Sequence, residues 1–223
     1  MPAGAVAGKE VALSPDFDVE QPGDIWILHL RSADGTNRLT RSFVLALIKA
    51  LEEMALDPRP LVLTGNSKFF SAGADLNEIA LLKGPDAYEF SEMGQRLMNA
   101  VERFPAPVYA AISGFCMGGG LDLALGCHHR IASPNAVFGH RGASLGLITG
   151  WGGTQRLPRL IGKANALQMF AAAEKIDARE ALRIGLVDVI ADDPIAEAIR
   201  IAGAFARSSS QRWFAPSASA GIR

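Results

Sequence analysis

Val108-Tyr109-Ala110-Ala111-Ile112-Ser113-Gly114-Phe115-Cys116-Met117-Gly118-Gly119-Gly120-Leu121-Asp122-Leu123-Ala124-Leu125 is the stretch on which the fold turns. Its first five residues are an unbroken apolar run of the length of a buried strand. Its last five carry a helical pattern. Between them stands a triple glycine. Glycines between a strand and a helix start let backbone N–H groups reach a ligand with no Cβ in the way. Those groups sit at the positive end of a helix, where negative charge on an oxygen is stabilised. A second donor has to come from a loop at the end of a neighbouring strand. The loop from Ser71 to Asp75, which follows an apolar run at Leu61 to Thr64, is the natural source.

The same alternation continues outward on both sides. Asp24 to Leu30 reads as a strand, and Thr40 as the cap of a helix whose Val44, Leu47, Ile48, Leu51 and Met54 recur at three- and four-residue spacing. Pro58 and Pro60 stop that helix before the strand Leu61–Thr64, and Gly65 to Asp75 is a polar loop. Pro85 opens a helix with Phe90, Met93, Leu97, Val101 and Phe104 on one face, closed by Pro105 and Pro107. Arg130–Ala132 and Ala136–Phe138 read as short strands around a turn at Pro134-Asn135. From Gly150 the pattern is mostly helical: Ala164–Ala173, then Ala178–Ile184 with Asp177 as cap and Gly185 as stop, a short strand Val187–Ile190, and a last helix Ile195–Arg207 before a tail, Ser208–Arg223. Strand and helix alternate without an internal repeat, which predicts an α/β layered core with parallel connections.

Composition narrows the function classes. The 223 residues suit one domain, and 49% hydrophobic residues allow a sizeable core. Lys plus Arg number 22 against 23 Asp plus Glu, a net charge of -1, so no general field draws nucleic acid or an anionic membrane. Two cysteines, Cys116 and Cys127, do not make a disulfide scaffold in a chain this long, and reduced thiols in a cytoplasmic protein are expected. No apolar run reaches the roughly 18–20 residues of a membrane span. Met1 to Lys9 lacks the apolar segment of a secretory signal, and residues 1–10 are expected to be a disordered tail.

Three glycine-containing loops remain: Phe70-Ser71-Ala72-Gly73-Ala74-Asp75-Leu76, Gly114 to Gly120, and Gly150-Trp151-Gly152-Gly153-Thr154-Gln155-Arg156-Leu157. None is a nucleotide motif, since no Gly-Lys-Ser/Thr follows Gly118 and no G-x-G-x-x-G occurs. Each taken singly is explained by tight turning. In this order and spacing, together, they resemble the crotonase (enoyl-CoA hydratase/isomerase) superfamily, and the resemblance runs from about the first strand to Ile190. It implies a ββα-superhelix core over residues 11–190, with 191–223 as a reduced C-terminal helical segment and tail. It implies a homotrimer or dimer of trimers acting on an acyl-CoA thioester in fatty acid metabolism, with coenzyme A carried as part of the substrate and no separate cofactor. By the family pattern the N–H groups of Ala74 and Gly119 form the oxyanion hole. Ala72 and the segment Ala74, Asp75, Leu76 and Asn77 contact the substrate and its coenzyme A portion.

Hydratases of this family use two glutamates, because a proton and a hydroxide must reach neighbouring carbons. The first position here is Asp122, one carbon–carbon bond, about 1.5 Å, shorter in reach. The second falls on Gly142, which has nothing to titrate. The resemblance therefore implies a lyase or isomerase of the superfamily that is not an efficient standard hydratase. Beside the lost position, His140 and Arg141 either supply acid/base or charge-binding chemistry to the substrate, or cap a loop and pair at a surface. Trp151 either lines the acyl pocket or packs. Cys127-His128-His129 is not expected to bind metal, because adjacent histidines on a strand point to opposite faces. An acyl-CoA decarboxylase, which needs an oxyanion hole and one proton donor, is an alternative, as is a CoA-thioester-binding protein without efficient chemistry.

Overall fold

The computed structural model describes residues 14–213; the expected tail at 1–10 and the residues from Phe214 onward lie outside them. The strands, in chain order, are β1 (Phe17–Glu20), β2 (Trp26–Leu30), β3 (Arg38–Leu39), β4 (Leu61–Thr64), β5 (Phe69–Ser71), β6 (Gly73–Ala74), β7 (Val108–Ile112), β8 (Phe115–Met117), β9 (His129–Ala132), β10 (Val137–Gly139), β11 (Ile176–Asp177) and β12 (Val189–Ile190). The helices are α1 (Arg41–Met54), α2 (Leu76–Leu81), α3 (Gly84–Glu102), α4 (Gly119–Gly126), α5 (Gly153–Ile161), α6 (Lys163–Ala172), α7 (Ala178–Arg183) and α8 (Pro194–Trp213), with a 3-10 turn at Arg141–Leu145.

Six strands form the main sheet in the order β1-β2-β4-β7-β9-β12. Only the β1–β2 pair is antiparallel; from β2 to β12 the neighbours run parallel. Side chains alternate between two covered faces. Leu61, Leu63, Val108, Ala110 and Ile112 point into the larger core with α1, α3 and α4. Val62, Tyr109, Ala111 and Ile131 point the other way, onto Ala198 and Ala202 of α8. Burial on both sides is why these strands read as unbroken apolar runs rather than alternating ones.

A second sheet, β11-β10-β8-β5, lies in another layer. Three main strands each feed a short second-layer strand and then a helix: β4 to β5 and on to α3, β7 to β8 to α4, β9 to β10 to α5. This is the expected ββα superhelix. The two short strands expected around the turn at Pro134-Asn135 are present as β9 and β10; they belong to different sheets and pair in parallel with β7 and β8. Two expectations need correction. The span Gly65–Asp75 is not simply a loop, since it holds β5 and β6. The last helix does not end at Arg207 but continues to Trp213, taking in the start of the expected tail.

The local signals at helix ends hold. The Thr40 hydroxyl accepts from Phe43 N at 3.2 Å, and the Asp177 carboxylate accepts from Glu180 N at 2.8 Å. Pro85 sits in the first turn of α3, and Gly185 adopts φ +80° after α7.

Candidate active site

The three glycines before α4 are needed for three different reasons. Gly118 has φ +50° and its N–H donates to Gly139 O at 2.9 Å, tying the start of α4 to the end of β10. Gly119 is the first residue of α4, so its N–H has no carbonyl partner within the helix. A Cβ on Gly120 would come within 2.6 Å of Ser71 Cβ, so its bareness lets α4 lie against β5. Ser71 is held there by its hydroxyl, which donates to Asn37 O at 2.7 Å.

The two amides that the family pattern names lie close together. A Cβ on Gly119 would lie 3.1 Å from Ala74 N, and a Cβ on Gly73 would lie 3.0 Å from Gly119 N. The Ala74 and Gly119 amides are thus immediate neighbours across the gap between β6 and the start of α4. Both residues line a cavity of about 440 Å³ together with Ala72, Leu76, Asp122, His140, Arg141 and Trp151. Ile79, Leu82, Phe90, Leu147, Ile148 and Phe170 complete apolar walls. Asp75 and Asn77 are not in its lining. The Asp75 carboxylate instead caps α2, accepting from Asn77 N at 2.8 Å and Glu78 N at 3.2 Å, and it faces Arg38 at 3.3 Å. Asn77 is exposed on α2.

Asp122 lies in the first turn of α4 with only 1% of its side chain exposed. The Thr149 hydroxyl donates to its Oδ2. Its Oδ1 stands 3.3 Å from His140 Nε2, and the His140 side chain is 5% exposed. His140 leaves the end of β10 and turns inward, with the Phe170 ring 5.1 Å away, so it does not merely cap a loop. Arg141 is exposed at the rim. A Cβ on Gly142 would come 2.8 Å from Leu147 O, so the backbone here is folded too tightly for a larger residue without rearrangement.

Trp151 both lines the cavity and packs. It is 3% exposed, its indole N–H donates to Phe90 O at 3.1 Å, and its ring lies 5.2 Å from that of Phe90. A Cβ on Gly94 would strike the indole at 2.1 Å, so α3 is recessed there to receive it. Behind the site Cys116 of β8 is fully buried; burial pushes its thiol well up, with the charges of Cys127 and Asp122 adding. The adjacent histidines are spent structurally: His128 Nδ1 accepts from Val108 N at 2.9 Å, and His129 stacks on Tyr109 at 5.2 Å. Among the described residues no three His, Cys, Asp or Glu side chains are grouped to hold a metal ion.

Sequence reasoning missed Thr149 and Phe170. Thr149 adjoins the third glycine loop, but nothing in its identity announces a partner on α4. Phe170 has the look of any apolar position on α6.

Comparison with known proteins matches residues 20–213 to the family Enoyl-CoA hydratase/isomerase. A Bacillus subtilis protein described as a probable enoyl-CoA hydratase is 42% identical over 181 residues, covering 78% of this chain and 70% of that one. A crotonyl-CoA hydratase of Syntrophomonas wolfei is 38% identical over 190 residues, covering 83% and 73%. Among solved structures, Pseudomonas aeruginosa DspI superposes with a TM-score of 0.84 at 35% identity, covering 91% of this chain and 84% of that one. No helix among the described residues is long and apolar enough to cross a membrane.

Proposed function

The chain belongs to the enoyl-CoA hydratase/isomerase family, which acts on CoA thioesters, and from that premise we propose that it forms and quenches an enolate of an acyl-CoA, without being an efficient standard hydratase. The observation that carries this is the adjacency of the Ala74 and Gly119 amides beside the Asp122 carboxylate in one cavity. When a proton leaves the carbon next to a thioester carbonyl, the electron pair moves onto the carbonyl oxygen. Two fixed N–H donors at that oxygen stabilise the developing charge, and each such donor is worth about 2.7–4 kcal/mol in the transition state. Asp122 is the carboxylate within reach of the adjoining carbon. The apolar walls suit a hydrocarbon acyl chain. Assembly as a homotrimer or dimer of trimers is part of the same proposal, and a monomer in light scattering would remove that part.

The test is wash-in of deuterium at the α-carbon of butyryl-CoA in D₂O, followed by NMR, run beside hydration of crotonyl-CoA and CO₂ release from malonyl-CoA. Deuterium wash-in with slow hydration is expected. Rapid hydration would show that Gly142 does not disable the family reaction. CO₂ release that Asp122→Asn abolishes would instead favour a decarboxylase. Tight binding with no exchange would leave a binding protein.

A further inference from the structure

We propose that Asp122 and His140 work as one proton-carrying pair, the acid and base of the enolate step in a site with no carboxylate at Gly142. The inference rests on the acyl-CoA reading above and assigns its proton chemistry. Three observations carry it. Among the described residues that line the cavity, the titratable side chains are Asp122, His140 and Arg141. Arg141 is exposed, and a guanidinium stays protonated, so it carries no proton back and forth. Gly142 offers no group and no room for one. What is left is one carboxylate and one imidazole, their Oδ1 and Nε2 atoms 3.3 Å apart and both closed off from bulk water.

The second observation is how the pair is held. Thr149 occupies Asp122 Oδ2, so Oδ1 is the oxygen left for His140, and Phe170 packs against the imidazole. The third is that neither Asp122 Oδ1 nor His140 Nε2 has an aligned hydrogen-bond partner among the described residues. Leaving buried polar atoms unpartnered is costly, and a pair held only for stability would close that gap. Catalytic contacts, by contrast, are commonly loose before substrate arrives and tighten on it.

The step balances with a single proton. The α C–H bond breaks, its electron pair goes to the thioester oxygen between Ala74 N–H and Gly119 N–H, and its proton goes to the pair, as carboxylate with imidazolium or as acid with imidazole. The same proton, or a solvent deuteron exchanged for it, then returns to carbon as the electron pair moves back. For an enoyl-CoA, water gives its oxygen to the β-carbon and one proton to the pair, the double-bond electrons move to the carbonyl oxygen, and the pair returns the proton to the α-carbon. A single carrier must then both accept and return the proton, where two glutamates would divide the two transfers, which accords with slow hydration.

The closing experiment compares His140→Gln, His140→Ala, Asp122→Asn and the Asp122→Asn/His140→Gln double variant for α-deuterium exchange of butyryl-CoA and for binding of acetoacetyl-CoA. Each single variant should lose at least about 100-fold in exchange while binding acetoacetyl-CoA within a few-fold of wild type. The double variant should lose little more than either single one, as groups acting as a unit do. Added imidazole should restore exchange to His140→Ala. Exchange by His140→Gln within a few-fold of wild type would overturn the pair while leaving the enolate reading intact, since glutamine can preserve packing but not carry the proton. Wild-type protein that binds no acetoacetyl-CoA would overturn the acyl-CoA reading itself, and the pair with it.

Discussion

Gly119→Ala probes the carbonyl grip directly. The added methyl would lie 2.7 Å from Trp151 Cζ3, 2.9 Å from Cε3 and 3.1 Å from Ala74 N. Carbon atoms sit comfortably about 3.5–4.0 Å apart, so the overlap with the indole is roughly an ångström. The indole has nowhere to go. Its N–H is bonded to Phe90 O, its ring lies against Phe90, and α3 at Gly94 abuts its other side. The methyl therefore stays beside the Ala74 N–H, where the thioester oxygen has to dock. Losing one oxyanion donor typically costs about 100- to 1000-fold in kcat, and a methyl that obstructs both should cost at least the lower figure. Overpacking adds a stability loss of about 1–3 kcal/mol, seen as a drop of about 2–4 °C in Tm for each kcal/mol in a chain of this length. Deuterium exchange of butyryl-CoA, acetoacetyl-CoA titration and calorimetry give the three readouts. A folded Gly119→Ala protein that exchanges within threefold of wild type would refute the docking of the oxygen between Ala74 and Gly119.

Two further outcomes are expected away from the carbonyl grip. Arg130 is buried, with Nε donating to Leu186 O at 2.8 Å and Nη1 to Cys127 O at 2.7 Å. Arg130→Met strands those carbonyls and should cost about 3 kcal/mol or more, read as a lower urea midpoint at unchanged slope; an unchanged midpoint would show that the contacts contribute nothing net. Burial pushes the Cys127 thiol from its ordinary 9.0 up to about 12, and Cys116 is pushed up as well. The folded state then keeps protons that the unfolded chain releases, so stability is intact below the ordinary thiol range and falls as pH rises through it, by about 1.4 kcal/mol per pH unit for each thiol. The Cys116→Ala/Cys127→Ala protein should show a shallower alkaline loss in urea melts, and identical slopes would contradict the burial argument.

The parts of the fold that were legible are those where one physical signal dominates. β4 and β7 are buried on both faces and so read as apolar runs; Thr40, Pro85, Asp177 and Gly185 mark helix ends by local chemistry alone. The second layer was not legible. β5, β6 and β8 have three residues or fewer, and β8 is enclosed by glycines, so neither length nor period betrays them. The pairing of β9 and β10 with different sheets is a matter of tertiary direction, which a turn signal at Pro134-Asn135 does not encode. In the site, the glycines stood out because close backbone approach leaves a pattern in residue type, whereas Ala74 was named only by the family resemblance. The Asp122–His140 approach was not, because it joins the first turn of a helix to the end of a strand that follows it by a crossover. Asp75 was named from a motif position, and what the structure adds is a local role for its carboxylate, which caps the start of α2.

The segment from Arg141 to Gly150 is almost wholly exposed, whereas Ala74, Gly119 and the strands that position them are set into sheet and helix packing. Inheritance can act on these two parts separately. Replacements in the surface segment change the wall of the cavity while the amides proposed to grip the thioester go untouched, so a chain with no acid at Gly142 still presents the same receptor, on which new chemistry can be tried. In this chain the division is written in burial: the proposed grip and the Asp122–His140 pair are structurally locked, and the exposed wall beside them, Gly142 aside, lies where substitution costs the fold least.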